Sequence, residues 1–363
     1  MINRLTRLIN KLPYYEKNQK VDAALIVSPI NRLYFSGFKS SEGVILVTRE
    51  ESYYIVDFRY YEAALSQIKN MNVVLLLDLK SDILKIIKQH NVRNILIENK
   101  GISLADVIKF EGWFENEQIS LIKTKTLDDI IAALRIIKTK EEIENIKIAQ
   151  EISERALDRL LPTIKCGITE KEIAFNLEYF IKKEGADAIS FDLIVASGKN
   201  SAIPHAEPSN KRVAEGDFIT IDMGAVYNGY HSDMTRTFGL KEVSKKQKSV
   251  YETVLCAQNK AINAIKPGVA CRDIDNIARN FIYENGYKNC FGHALGHGVG
   301  LEIHENPFLS ANSEFILEPG MVITIEPGIY LKNEFGVRIE DMIVVTECGY
   351  ENLTSTNKNL IIL

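Results

Sequence analysis

Of the six histidines in this chain, His205, His231, His293, His297 and His304 all follow residue 200, and only His90 precedes them. Three of them, His293, His297 and His304, are interleaved with Gly292, Gly296, Gly298 and Gly300. So many glycines disfavour a helix, which excludes a zinc helix of the H-E-x-x-H kind. A glycine-rich strand or loop instead lets backbones approach closely while the imidazoles project. Carboxylates flank this region. Asp222 and Asp233 lie on either side of Asn228-Gly229, a dipeptide that between alternating apolar runs signals a two-residue hairpin turn. With that turn Tyr227 faces Tyr230, so Asp222 faces Thr235 and lies diagonal to Asp233. The two acids are then roughly 7–8 Å apart at Cβ, near enough for their oxygens to converge. Either Asp alone is more commonly a turn or capping residue. As a pair they repel unless a cation is shared between them.

Met321 to Glu326 alternates as a strand that stops at Pro327-Gly328, leaving Glu326 at its end on the face of Thr324. In Gly336 to Val345, period two puts Arg338, Glu340 and Met342 on one face. Charges among such strand formers either face solvent or are paired in a buried site, and spacing leaves both open. Glu302 and Glu305 read as bystanders. His231 shares the computed face of Asp233 and is assigned no role.

These groups need a scaffold, and at 363 residues the chain exceeds the usual size of one core, so two domains are expected. Apolar runs at 23–27, 43–47, 73–77 and 95–97 alternate with helix-like stretches such as Ser81 to His90, the rhythm of a small α/β domain. Met1 to Leu12, apolar at 2, 5, 8, 9 and 12, reads as a first amphipathic helix rather than a targeting segment. A charged helix is predicted over Lys138 to Arg159 and another over Thr169 to Glu184, with Thr169 as N-cap and Glu172 three residues on. The expected boundary divides residues 1–129 from 130–363. Apolar residues make up 46% and charged residues 25%, the balance of a globular protein, and a formal charge of -4 leaves no basic surplus for nucleic acid. The longest apolar stretches, such as Val73 to Leu77, fall short of the roughly 20 residues that span a bilayer. Five cysteines, never spaced C-x-x-C, fit neither a disulfide framework nor a zinc ribbon and are expected as reduced, mostly buried thiols. A cytoplasmic location is the default expectation.

The runs Asp222-x-Gly224-Ala225, Ser232-Asp233-Met234-Thr235-Arg236-Thr237, Gly296-His297-Gly298-Val299-Gly300-Leu301-x-x-His304-Glu305-x-Pro307, Glu326-Pro327-Gly328 and Arg338-Ile339-Glu340-Asp341 resemble the proline-peptidase branch of the pita-bread metallopeptidases. Asn31 to Phe38 and Asp57-Phe58-Arg59-Tyr60 match the branch's N-terminal domain more loosely. The resemblance implies an α/β N-terminal domain followed by an α+β pita-bread catalytic domain. It implies that Asp222 binds one metal, that Asp233 and Glu340 bridge two, and that His297 and Glu326 complete the second. It further implies that His205, His293 and His304 line the substrate side and act on the tetrahedral intermediate or its protons. Glu326 would move a proton, and Arg338 would bind substrate or make a structural pair with Asp341 or Glu340. An oxygen-rich set with one imidazole suits two Mn²⁺ ions, with Co²⁺, Fe²⁺ or Zn²⁺ as alternatives. Water between the ions would be acidified to attack a peptide carbonyl.

The branch, rather than any visible pocket, implies Xaa-Pro substrates, as an aminopeptidase or a dipeptidase, and a homodimer. A methionine aminopeptidase would share the ligands but need no α/β domain in front. Creatinase-like hydrolases share the fold but lack the ligands. A silent pita-bread binding module would hold no stoichiometric metal.

Overall fold

The computed structural model describes residues 4–363 and divides into two units, residues 4–135 and 136–363. The first opens with α1 (Arg4–Lys11), which buries Leu5 and Leu8; Met1, Ile2 and Asn3 of the expected helix lie outside the described residues. A two-residue hairpin, β1 (Tyr15–Glu16) and β2 (Gln19–Lys20), leads to β3 (Ala23–Ile26), α2 (Pro29–Ser36), β4 (Val44–Thr48), β5 (Ser52–Val56) and α3 (Phe58–Gln67). Then come β6 (Asn72–Leu75), α4 (Leu79–Gln89), β7 (Asn94–Ile97), α5 (Leu104–Phe114), β8 (Ser120–Ile122) and α6 (Thr126–Arg135). All but the first two strands form one mixed sheet in the order β6-β5-β4-β3-β7-β8. α4 packs Ile83, Ile86 and Ile87 against Leu25, Leu46 and Ile95, giving the unit its own core. The four apolar runs read from sequence became strands. β5, with every residue buried, was not among them.

The division falls at 135/136 rather than 129/130. α6 crosses the expected boundary unbroken, burying Leu127, Ile131 and Leu134, and the Tyr34 hydroxyl donates to the Leu134 carbonyl at 3.0 Å. Cutting at 130 would split a helix that the first unit packs as one piece.

The second unit begins with α7 (Lys140–Leu160) and α8 (Glu170–Lys183). Each starts in a reciprocal capping box, Thr139 with Glu142 and Thr169 with Glu172, which satisfies N–H groups that the first turn leaves unpaired. Next come β9 (Ala188–Ile189), β10 (Ile194–Ser197), β11 (Phe218–Met223), β12 (Ala225–Tyr227), β13 (Tyr230–His231) and β14 (Met234–Gly239), then α9 (Lys245–Asn263) and α10 (Cys271–Glu284). The last third is strand: β15 (Gly296–Gly298), β16 (Glu305–Leu309), β17 (Val322–Ile325), β18 (Gly328–Leu331), β19 (Phe335–Arg338), β20 (Asp341–Val345) and β21 (Tyr350–Asn352). Two apolar clusters hold the unit. One lies between α7, α8 and the β10-β11-β14 sheet, the other between α9, α10 and strands β15 to β20.

The cysteines are all free, but Cys166, Cys256 and Cys348 are exposed and only Cys271 is buried. This corrects the expectation of mostly buried thiols. Cys256 shows why, since it lies on the outer face of α9 while Val254 and Ala257 face the core. No helix among the described residues is long and apolar enough to cross a membrane.

Candidate metal centre

The hairpin places the first pair of acids. Tyr227 lies opposite Tyr230, Asp222 opposite Thr235 and Met223 opposite Met234, the register that the Asn228-Gly229 turn requires. Both turn residues have positive φ, 50° and 81°, as a type I′ turn demands. The ladder nevertheless changes sheet midway, from β10-β11-β14 to β13-β12-β9. Asp233 sits at that change and is buried, as is Asp222.

β15 brings the imidazole. It is wedged between β16 and β17 so tightly that a Cβ on Gly296 would lie 1.9 Å from the Thr324 carbonyl oxygen, and one on Gly298 would lie 2.3 Å from that of Asn306. Glycine on both sides of His297 is therefore the condition for the strand to enter. The Nδ1 of His297 is 3.1 Å from the Gly298 carbonyl oxygen, which can only accept, so Nδ1 carries the proton and Nε2 keeps its lone pair free to bind a metal. That Nε2 lies 3.4 Å from Asp233 Oδ2 and 3.6 Å from Glu326 Oε1.

Glu326 follows β17, and Glu340 occupies the short break between β19 and β20. The stretch read as one strand from 336 to 345 is two strands in different sheets, so period two does not carry through it. The break is fixed by the Glu340 N–H, which donates to the Thr235 carbonyl, while Glu340 Oε2 accepts from the Thr235 hydroxyl at 2.7 Å. Asp233, His297 and Glu340 each offer an atom within 4.8 Å of the others'.

Asp222, Asp233, His297, Glu326 and Glu340 line one cavity of about 500 Å³ together with His205, His293, His304 and Arg338. The carboxyl groups of Asp222, Asp233, Glu326 and Glu340 gather here with a single guanidinium, that of Arg338. Burial, followed by the charges of Asp222 and Glu326, pushes Asp233 well above the usual carboxylate range. Burial and the charges of Asp233 and Asp222 do the same to Glu340. Glu326 is pushed up to about 8 by burial and by Glu340. Asp222 Oδ1 is buried without any hydrogen-bond partner. An orphaned acceptor among acids that resist ionising together is what a bound cation would relieve. Oxygen donors with one imidazole are the set that hard and borderline divalent ions prefer.

Arg338 makes neither pair expected of it. Its Nη2 lies 2.6 Å from Asp222 Oδ2, while Nε donates to the Thr235 hydroxyl and Nη1 to the Tyr330 hydroxyl and the Pro204 carbonyl. Asp341 is already taken by Arg236 and Lys358, both at 2.8 Å. The guanidinium holds Asp222 and Tyr330 while also lining the cavity.

His293 is also engaged on both sides. Nδ1 lies 2.8 Å from the Ala294 carbonyl oxygen, so Nε2 accepts from the Tyr330 hydroxyl at 3.0 Å. Burial and the Arg338 charge lower its pKa to about 4, leaving one proton, already donated. The structure thus gives the expected proton-passing role of His293 no free nitrogen. His304 packs edge-to-face on His297, ring centres 4.4 Å apart, and burial, then His297, lowers its pKa. His205 is exposed on the loop after β10. His231 does not line this cavity, and its Nδ1 is 2.8 Å from the Ser190 hydroxyl. Glu305, read as a bystander, forms a buried pair with Lys138 at 3.3 Å.

Sequence reasoning missed Tyr330 and Thr235. For Thr235 the signal was present, because the hairpin register already set it opposite Asp222. Tyr330 had none, since it reaches His293 and Arg338 only through folded neighbours.

Residues 144–347 match the model of metallopeptidase family M24, and residues 4–137 match the creatinase/prolidase N-terminal domain. The chain belongs to metallopeptidase family M24. It is a metallo-exopeptidase with an α/β N-terminal domain and a pita-bread catalytic domain. Its sequence is 42% identical to that of a Xaa-Pro dipeptidase from Pyrococcus furiosus, over 97% of this chain and 99% of the relative. Among solved structures, a Xaa-Pro dipeptidase from Bacillus anthracis superimposes with a TM-score of 0.92 at 39% identity, covering 99% of each chain. An X-Pro aminopeptidase from Thermotoga maritima gives 0.89, also at 39% identity, covering 94% of this chain and 98% of its own.

Proposed function

We propose that this M24 peptidase hydrolyses the bond before proline in Xaa-Pro dipeptides and at the N-terminus of short Xaa-Pro peptides, with two divalent cations, Mn²⁺ foremost, held by Asp222, Asp233, His297, Glu326 and Glu340. The observation that carries the metal reading is the unpartnered Asp222 Oδ1, buried in a cavity where Asp233, Glu326 and Glu340 resist carrying charge together. Proline specificity rests on likeness to relatives named as Xaa-Pro dipeptidases and an X-Pro aminopeptidase.

When bound, such cations supply Lewis-acid polarisation of the scissile carbonyl and lower the pKa of water enough for attack near neutral pH. The chain's own groups do the rest. Glu326, at the end of β17 in the same cavity, takes a proton from the attacking water and passes it to the leaving proline nitrogen. That transfer is needed because the proline nitrogen would otherwise have to leave as a strongly basic anion. His304, beside His297 and held neutral by burial, and His205, on the opposite loop, face the substrate and donate to the oxygen that gains charge. Arg338 and His293 keep Asp222 and Tyr330 in place. A homodimer is the expected assembly, by resemblance alone.

The test is cleavage of Ala-Pro and Ala-Pro-Ala by metal-stripped full chain, before and after Mn²⁺ is added, with Asp233→Ala as control. Metal-dependent cleavage of either peptide, absent from Asp233→Ala, supports the reading. The ratio of the two rates separates dipeptidase from aminopeptidase. If protein carrying two metals cuts neither peptide, the proline reading fails and methionyl peptides are the next substrates to try.

A further inference from the structure

One buried carboxylate ties down both ends of the loop that carries His205. Glu170 opens α8 and is fully buried. Its Oε1 accepts from the Ser197 N–H at 2.7 Å, the Ser197 hydroxyl at 2.8 Å and the Asn200 amide at 3.1 Å. Its Oε2 accepts from the same amide at 3.1 Å, the Ser209 N–H at 3.0 Å and the Ser209 hydroxyl at 2.6 Å. Two oxygens offer about four lone-pair sites, so this carboxylate is fully subscribed. Its charge also sits in the first turn of a helix, where the dipole favours an anion.

Between those two feet the chain leaves β10, makes a tight turn over Gly198–Ala202, and presents Pro204, His205 and Pro208 to the metal-centre cavity. His205 is exposed, so its place relative to Asp222 is set by its backbone rather than by side-chain packing. That backbone is set in turn at Ser197 and Ser209.

We infer that Glu170 is a positioning residue for the peptidase reaction, fixing both feet of the 197–209 loop so that His205 is held against the substrate. The inference rests on the reading above in which His205 faces the substrate. A carboxylate with only a structural duty would lower activity by the same factor whatever stood at 205. A positioning residue acts through His205 and loses its effect once that ring is gone.

The test is a double-mutant cycle in the Mn²⁺-loaded full chain, E170Q and H205A singly and together, reading kcat and KM for Ala-Pro. It is paired with amide hydrogen exchange across residues 197–209. The amide of E170Q presents an NH₂ toward donors and so releases one foot. E170Q is expected to lower kcat/KM by about 10–100-fold, the range typical of residues that orient a metal-site group, with metal content unchanged. In the H205A background the same substitution should change kcat/KM by less than about twofold. The amides of Ser197 and Ser209 should exchange faster. An equal loss in both backgrounds overturns the inference, as does unchanged exchange at the feet. If E170Q does not fold, S209A, which removes one contact, takes its place and should show the same dependence on His205. If the unaltered protein cleaves neither Ala-Pro nor Ala-Pro-Ala, the functional reading falls, while exchange at Ser197 and Ser209 still reports whether Glu170 fixes the loop.

Discussion

Asp233, Glu326 and Glu340 hold protons in the folded, metal-free chain that the unfolded chain gives up in the ordinary carboxylate range. The folded state therefore binds more protons than the unfolded one. Their contribution to stability is present at low pH and is lost as pH rises through that range toward about 8, the pKa of Glu326. A cation displaces those protons and removes the penalty. The rise in Tm on adding excess Mn²⁺ should consequently be larger near pH 8 than near pH 5. Scanning calorimetry across that interval checks it, and an increment that does not grow with pH would remove the carboxylate-cluster account. Tyr330 offers a second test at this scale. Its hydroxyl donates to His293 and accepts from Arg338, so Tyr330→Phe strands two buried polar groups and should cost about 1–3 kcal/mol in urea unfolding. Metal content should not change, because Tyr330 touches none of the five proposed ligands except through Arg338.

Short strands that change sheet are what let acids from distant segments meet. β15 is the tightest of these, and Gly296→Ala would set a Cβ 1.9 Å from the Thr324 carbonyl, which a backbone cannot yield without moving His297. The substitution should cost about 1–3 kcal/mol or more and reduce bound metal, read by denaturation and metal analysis of the same sample. The elements were legible in sequence wherever local chemistry dictates them. The Asn228-Gly229 turn fixed the register that opposes Asp222 to Thr235, and the Thr169-to-Glu172 box marked the start of α8. What period two could not convey is where a strand stops being one. Residues 336–345 alternate as a single run, yet the chain breaks at Glu340 to bond with Thr235, a residue more than a hundred positions earlier. The pairing of Arg338 with Asp222 was hidden for the same reason, and so was the engagement of both nitrogens of His293. Such contacts are decided by which sheets pack together, not by the neighbours of either residue.

Each unit carries its own core, and all five proposed ligands lie in residues 136–363. Expressed alone, that segment should bind Mn²⁺ at the stoichiometry of the full chain, while residues 4–135 bind none. Equilibrium dialysis with metal analysis distinguishes this from a centre that needs both units. The proposed ligands also run from Asp222 to Glu340, drawn from the hairpin, β15 and the ends of β17 and β19, so no fragment of the domain shorter than residues 222–340 contains the set. During synthesis the last of them emerges 118 residues after the first (340 − 222). A copy stopped short of residue 340 would thus lack a complete ligand set with which to compete for a scarce ion. Loading with metal would act as an inspection stamp, given only to finished molecules.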